Sequence, residues 1–192
     1  MKVLIVSEGK HEQSGALESL VRRLGGGEAT YEQDKISNSR IHAYHGRGDG
    51  YFKRAVRWLL EAERRGVDVL ILLVDEDGQR ERLTQITTAQ DTTQSHLRRA
   101  MGVAVRTFDA WMLADESALT SVLGYEVNRR PDPETIHQPK EDCAALLEDS
   151  PNDMAQSEMY AGITDQVDLG ILSQRCPLGF GPFSTRVRAV FA

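Results

Sequence analysis

Residues 67–78 read VDVLILLVDEDG, and this stretch decides the fold. From Val67 to Val74 the chain is almost continuously apolar and rich in Val, Leu and Ile, which is typical of a strand buried on both faces. Asp75 and Asp77 follow this strand directly, and a glycine marks the turn. A strand that is covered on both faces predicts a sheet lying between two layers of helices.

The rest of the chain repeats this alternation of strand and helix. VLIV at residues 3–6 predicts a first buried strand, and residues 11–24 carry apolar positions at helical spacing before three glycines end the helix. The later predicted elements are a possible strand at 40–44, a helix at 51–65, a polar helix at 79–99, a strand at 103–108 and a helix at 109–123. The order predicts an α/β fold, with a mostly parallel central sheet and helices on both faces.

The last third of the chain has a weaker pattern. We expect residues 1–125 to form the α/β domain, and residues 126–192 to form a Pro-rich arm and a C-terminal helical extension packed on the same domain. The arm, RRPDPETIHQPK, contains three prolines. Predicted helices follow at 140–147 and 156–162, with a final helix near the C terminus.

Composition narrows the class of protein. The chain of 192 residues has a net charge of −6, with the acid excess concentrated in residues 126–170, which disfavours coating of nucleic acid by bulk charge but leaves a local phosphate site possible. No apolar run reaches the roughly 18 residues that span a bilayer, and the apolar start is expected to be a strand, not a signal peptide. Two cysteines predict neither a disulfide framework nor a zinc site, so we expect free thiols and a cytoplasmic location.

Acidic side chains follow the predicted strands. Glu8 follows the first strand, Asp75 and Asp77 follow the 67–74 strand, and Asp109 follows a later one. In an open parallel sheet the carboxyl ends of the strands form the ligand-binding edge, and clustered carboxylates repel one another unless a cation binds. These hard oxygen ligands suit Mg²⁺ or Mn²⁺. Glu12, one helical turn after Glu8, is a further candidate ligand.

Each of these acids also has a simpler interpretation. Two acids after a strand, as at Asp75 and Asp77, are often a solvated turn. Glu12 could simply complement the dipole of the helix that it begins. For the cations near predicted helix starts, phosphate binding competes with a solvated helix face. These candidate phosphate ligands are Lys10, Arg47, Lys53 and Arg54, with Arg57 close by.

Two motifs carry a family resemblance. E-G-x-x-E, formed by Glu8, Gly9 and Glu12, and the later D-x-D of Asp75 and Asp77 resemble the Toprim superfamily of topoisomerase and primase catalytic domains and overcoming-lysogenisation-defect nucleases. The stretches SEGKHE, LLVDEDG, FDAWMLAD and DPETIHQPK are similar, more narrowly, to small stand-alone prokaryotic Toprim-like proteins, whose members are often encoded beside ATPases and linked to defence against phage.

The resemblance implies a Toprim-like fold that binds one or two Mg²⁺ ions. It implies that Glu8 is a metal ligand or general base, that Asp75 and Asp77 are metal ligands, and that the protein cleaves phosphodiester bonds of DNA or RNA. His11 stands where the family more often has Thr or Ser, and Asp109 stands where it more often has Glu.

Partners and rival functions follow from the same reasoning. Because the chain has no P-loop, any ATPase would be a separate partner, and a homo-oligomer is a further expectation. One alternative function is a non-catalytic regulatory subunit, or one that binds nucleic acid or a nucleotide, and that retains the acidic metal site. A receiver-like phospho-acceptor domain fits less well, since only one acid follows the first strand.

Overall fold

The computed structural model describes residues 1–9 and 12–192, and its centre is a four-stranded sheet. All three strand pairings are parallel and the strand order is β2-β1-β3-β4. The strands are β1 (Lys2–Ser7), β2 (Thr30–Lys35), β3 (Val69–Asp75) and β4 (Arg98–Ala104). The predicted α/β class with a parallel central sheet is therefore confirmed.

Helices connect and cover the strands. After β1, α1 (Leu17–Val21) lies between two wider helical turns at Glu12–Ala16 and Arg22–Gly26. The other helices are α2 (Gly50–Arg65), α3 (Glu81–Gln90), α4 (Phe108–Met112), α5 (Glu116–Leu123), α6 (Pro139–Glu148), α7 (Gln156–Gln166), α8 (Leu169–Arg175) and α9 (Phe180–Phe191), and a short 3₁₀ turn spans Pro133–Thr135. None of these helices is long and apolar enough to cross a membrane.

The two faces of the sheet bury alternate side chains of the same strands, as the period of two in a strand requires. One face packs under α2 and α3, and its strand residues include Leu4, Val6, Leu70, Leu72 and Val74. The other face packs under α1 and the helices from α4 onward, and its strand residues include Val3, Ile5, Val69, Ile71 and Leu73. This arrangement explains why β1 and β3 are apolar throughout.

Residues 126–192 contribute directly to the second face. Phe180 and Phe183 of α9 are fully buried against Trp111 of α4, with ring centroids 5.1 and 5.7 Å apart. Phe183 also lies so close to Gly102 of β4 that a Cβ at Gly102 would come within 2.6 Å of it. The C-terminal helices therefore form part of one layer of the α/β domain.

Two edge strands differ from the sequence prediction. The possible strand at 40–44 is not a strand in the structure, and the second strand is instead Thr30–Lys35, a polar segment that is mostly exposed at the edge of the sheet. An edge strand buries little surface, so it lacks the apolar run by which buried strands are recognised.

The predicted boundaries around β4 were also wrong. The helix predicted over 79–99 ends at Gln90, and β4 covers Arg98–Ala104 instead of 103–108. Arg99 is the second residue of this edge strand, and its guanidinium donates to the carbonyl oxygens of Gln90 at 2.7 Å and Ser95 at 3.0 Å. The predicted helix over 109–123 is divided by Asp115, whose side chain accepts from two backbone N–H groups and caps α5.

Candidate acidic site at the carboxyl ends of the strands

Glu8 and Asp75 lie side by side at the carboxyl ends of the adjacent strands β1 and β3. The Oε2 atom of Glu8 accepts a hydrogen bond from the backbone N–H of Asp75 at 2.8 Å. The Oδ1 atom of Asp75 accepts from the backbone N–H of Phe108, the first residue of α4, at 2.7 Å. These two bonds connect the ends of both strands to the start of α4, so the two carboxylates are positioned by the backbone itself.

Two more acids approach from the helices. Glu12 is buried, and its Oε1 accepts from the backbone N–H of Gly9 at 3.3 Å. Gly9 has no room for a side chain, because a Cβ there would lie 2.1 Å from Oε2 of Glu12. Asp109, in the first turn of α4, is buried and accepts a hydrogen bond from the hydroxyl of Tyr160 on α7. We call Glu8, Glu12, Asp75 and Asp109 the acidic cluster.

The pKa shifts indicate that these acids interact. Burial raises the pKa of Asp75 well above its ordinary value, and the charges of Glu12, Glu8 and Asp109 raise it further. Burial likewise raises the pKa of Glu12, as do the charges of Asp109 and Glu8, while backbone N–H groups partly oppose the shift. The structure thus brings these four carboxyl groups within electrostatic reach of one another, while their role as a site stays a prediction.

Asp77 occupies a different place. Its side chain is 60% exposed, and Nη1 of Arg82 lies 3.7 Å from its Oδ2. Its backbone is left-handed, with φ of 55°, a conformation that Asp tolerates better than most residues. Asp77 therefore lies on the rim of the acidic cluster, on the turn that follows β3.

Arg82 is a central residue of the site that the sequence analysis missed. Its side chain is 7% exposed, and Nη1 donates to the backbone carbonyl of Asp75 at 2.6 Å and lies 3.4 Å from Oε2 of Glu8. Its guanidinium also stacks on the ring of Tyr51 at 4.3 Å. Arg82 is one of two arginines at the start of a polar helix, and no local pattern distinguishes it from its exposed neighbour Arg80.

Tyr51, the second residue that was missed, completes this contact. Its hydroxyl donates to Oε1 of Glu8, and burial together with that carboxylate raises its pKa to about 12. The phenol therefore stays protonated at neutral pH. Arg54 also stacks on Tyr51, with its guanidinium 4.6 Å from the ring centroid. Of the predicted phosphate ligands, Arg54 is thereby brought beside the acidic site.

The remaining predicted cations are distributed more widely. Arg57 donates to the carbonyl oxygens of Ile41 and His42, so its side chain holds a loop against α2. Arg47 is exposed and Lys53 half-buried, and neither side chain has a hydrogen bond or ion pair within residues 1–9 and 12–192. Lys10 lies outside the described residues, as does His11.

The cluster is not arranged as a ready coordination sphere. Within the described residues, no three His, Cys, Asp or Glu side chains come together in a way that could hold a metal ion. The carboxylates instead accept hydrogen bonds from the side chains of Arg82, Tyr51 and Tyr160 and from backbone N–H groups. In chemical type the donor set fits Mg²⁺ or Mn²⁺, since it consists of hard carboxylate oxygens that repel one another. Binding would require Glu8 to exchange Arg82 or Tyr51 for the ion.

Comparison with known proteins identifies the family. Residues 8–188 match the family model described as a domain of unknown function, DUF4276, and this range includes all four acids of the cluster. No curated protein matches the chain, and no solved structure does. The resemblance to Toprim nucleases stays a prediction. Because the family model spans nearly the whole chain, this protein belongs to the DUF4276 family.

Proposed function

We propose that this protein is a phosphodiesterase that cleaves DNA or RNA with the help of Mg²⁺ or Mn²⁺. The observation that carries the proposal is the acidic cluster, in which four carboxyl groups meet at the carboxyl ends of parallel strands, and in which burial and the neighbouring charges raise the pKa of Asp75 and Glu12. Such a group of like charges is costly in the absence of a cation. It is also the kind of oxygen-rich site in which divalent ions and phosphate oxygens bind together.

Each residue has a role in this proposal. Glu8, Glu12, Asp75 and Asp109 would hold the ion, with Asp77 on the rim. A bound divalent ion supplies charge neutralisation at the phosphate and lowers the pKa of a water molecule. Arg54, exposed and stacked on Tyr51, would contact a phosphate oxygen of the backbone. The Toprim resemblance also makes Glu8 the candidate general base, a role in which it would have to give up the hydrogen bond that it accepts from Tyr51.

The biological setting is part of the proposal: phage defence and the ATPase partner rest on the Toprim resemblance, and the cytoplasmic location rests on the two free cysteines. In it the protein acts in the cytoplasm in defence against phage, together with a separately encoded ATPase, and as a homo-oligomer.

A second function is favoured by Arg82. Because this buried guanidinium contacts Glu8 and lies near Asp77, it supplies a positive charge from within the chain. If that contact is permanent, Arg82 offsets part of the negative charge of the acidic cluster without a metal ion, and the protein is a non-catalytic regulatory subunit or one that binds nucleic acid or a nucleotide. The two functions therefore differ in whether the wild-type protein binds a divalent ion.

Two measurements on the same samples separate these functions. Mn²⁺ binding is measured by calorimetry, and cleavage of plasmid and single-stranded DNA and of RNA is measured with Mg²⁺ or Mn²⁺. The test variant is Asp75→Asn, and the matched control is Asp68→Asn, which removes an exposed acid near the opposite end of the same strand. The phosphodiesterase proposal expects Asp75→Asn to abolish cleavage and weaken Mn²⁺ binding, with Asp68→Asn unchanged. Wild-type protein that binds no Mn²⁺ and cleaves nothing, even with a neighbouring ATPase added, would favour the regulatory subunit.

A further inference from the structure

A cavity of about 540 Å³ lies next to the acidic cluster, on the β4 side of the sheet. Its wall includes Glu76, which directly follows Asp75, and Arg106, whose carbonyl accepts from the backbone N–H of Asp77 at 2.9 Å. Its volume is within the range of small-molecule sites. We call it the β4-side cavity.

Apolar side chains form one part of this cavity. Five large hydrophobic residues are exposed in the described part of the chain, and two of them, Leu83 at 41% and Leu178 at 60%, line the cavity together with Val105. The same two leucines also line a neighbouring cavity of about 230 Å³, where Phe183 continues the apolar surface. Exposed apolar side chains concentrated in a concave surface indicate a binding site more than isolated ones do.

Cations form another part. Arg80 and Arg106 both line the β4-side cavity, and neither guanidinium has a hydrogen bond or ion pair within residues 1–9 and 12–192. Arg106 has a left-handed backbone with φ of 65°, which is held by a bond from its N–H to Oε2 of Glu76 at 3.2 Å. A strained backbone of this kind in a non-glycine residue is often found at functional sites. The cavity therefore offers two positive charges that the fold does not use.

Acceptors complete the lining. Glu134 is buried and already accepts from the backbone N–H groups of Leu178 at 3.0 Å and Gly179 at 2.6 Å, so its role is to hold this loop in place. Oε2 of Glu76 accepts from the backbone N–H of Arg106, and Oε1 of Glu76 has no hydrogen-bond partner in the described part of the chain. One carboxylate oxygen in the cavity is thus available to accept from an amino group.

We propose that the β4-side cavity binds a nucleoside phosphate. The base lies against Leu83, Val105 and Leu178, its amino group donates to Glu76, and the phosphate contacts Arg80 and Arg106. A purely apolar ligand would leave both arginines unpaired, and an inorganic anion would leave the apolar wall in water. The inference deepens the proposed function and rests on it in one respect, since it assigns the cavity to the nucleotide beside the bond that is cleaved.

The test measures binding without a metal ion. Calorimetry on the full chain in EDTA uses the four ribonucleoside 5′-monophosphates as probes, with adenosine and inorganic phosphate as half-ligands. A 5′-phosphorylated dinucleotide is a further probe, which represents the end of a nucleic-acid strand. If it binds more tightly than the mononucleotides, the ligand is a strand end; if the mononucleotides bind more tightly, the ligand is a free nucleotide. Test variants are Leu178→Glu and Arg80→Glu, both at exposed positions. The matched controls are Ile171→Glu and Arg188→Glu, which make the same changes at exposed positions that line none of the described cavities.

The proposal expects a nucleotide to bind roughly tenfold or more tightly than either half-ligand, and each test variant to weaken binding by a similar factor. The controls should bind as the wild type does. Absence of nucleotide binding at millimolar concentration, or equal binding by Leu178→Glu and Ile171→Glu, would overturn it. EDTA removes divalent ions, so this binding assay is independent of metal-dependent cleavage. If the protein cleaves nucleic acid but binds no nucleotide in EDTA, only the cavity proposal is rejected. If it binds the nucleotide but cleaves nothing, only the phosphodiesterase proposal is rejected.

Discussion

Replacing Asp75 by Asn should stabilise the metal-free protein while it removes the proposed activity. Asn has nearly the same shape as Asp, and its amide oxygen can still accept from the backbone N–H of Phe108, a bond of 2.7 Å in the wild type. What the substitution removes is one negative charge that is buried among Glu8, Glu12 and Asp109. Most substitutions of buried residues destabilise a protein, so the expected sign is unusual.

The magnitude follows from the charges around Asp75. Two like charges roughly 8 Å apart, at an effective dielectric constant of about 20, repel by about 2 kcal/mol. Burial is the largest cause of the raised pKa of Asp75 and adds to this penalty, as do the charges of three acids, while Arg82, which contacts Glu8, offsets part of the repulsion. The bond from Phe108 also weakens by about 1 kcal/mol when its acceptor becomes neutral. The net expectation is an increase of about 1–3 kcal/mol in the free energy of unfolding.

The sign of the pH dependence is also fixed. Folding raises the pKa of Asp75, so the ionised folded state is penalised relative to the unfolded state at high pH. The penalty disappears as the pH falls below the raised pKa and toward the ordinary value of 3.8, since the carboxyl is then protonated. The advantage of Asp75→Asn should therefore be largest at pH 7–8 and should shrink in acid.

Urea unfolding in EDTA, followed by circular dichroism at several pH values, measures this difference directly. Asp68→Asn is the control, because Asp68 is exposed and accepts from the backbone N–H of Lys2. Millimolar Mn²⁺ should stabilise the wild type and leave Asp75→Asn unaffected, by mass action. An Asp75→Asn protein that is less stable than the wild type at pH 8, or whose advantage does not change with pH, would refute the electrostatic reasoning.

Three further predictions concern other parts of the fold. Tyr160→Phe removes the donor to the buried carboxylate of Asp109 and should destabilise the protein by about 1–3 kcal/mol in urea unfolding; an unchanged midpoint would contradict this role. Glu61, whose pKa is lowered to about 2 mainly by hydrogen bonds from the arginines that follow it, stabilises the fold above pH 4.5 and loses that contribution as the pH falls toward 2. Glu61→Gln should therefore cost about 1–2 kcal/mol at pH 7 and nothing near pH 2, a difference that acid titration of the two proteins measures. Gly102→Ala places a Cβ 2.6 Å from the ring of Phe183 and should lower stability by about 1–3 kcal/mol, which thermal unfolding detects.

Much of the fold was predictable because buried strands have a local signature. The apolar runs of β1 and β3 were located to within two residues, since a strand covered on both faces must be apolar throughout. The edge strand β2 was misplaced because its residues are polar and mostly exposed, and β4 was misplaced because it begins with two arginines and contains a glycine, so it has no continuous apolar run. Their position depends on backbone hydrogen bonds to β1 and β3, which leave no periodic pattern in the sequence.

The acidic cluster was predictable for a related reason. Glu8 follows β1 and Asp75 ends β3, and parallel strands bring their carboxyl ends to one edge of the sheet, so local position along the chain was enough to group these two. Asp109 was grouped with them from a strand predicted at 103–108, whereas in the structure it lies in α4, after the end of β4 at Ala104. Only the tertiary structure decided which groups contact them. Arg82 and Tyr51 lie 74 and 43 residues from Glu8 in sequence, and Tyr160 lies 51 residues from Asp109. Such contacts depend on how separate helices pack across the sheet, and that packing has no trace in the local order of residues.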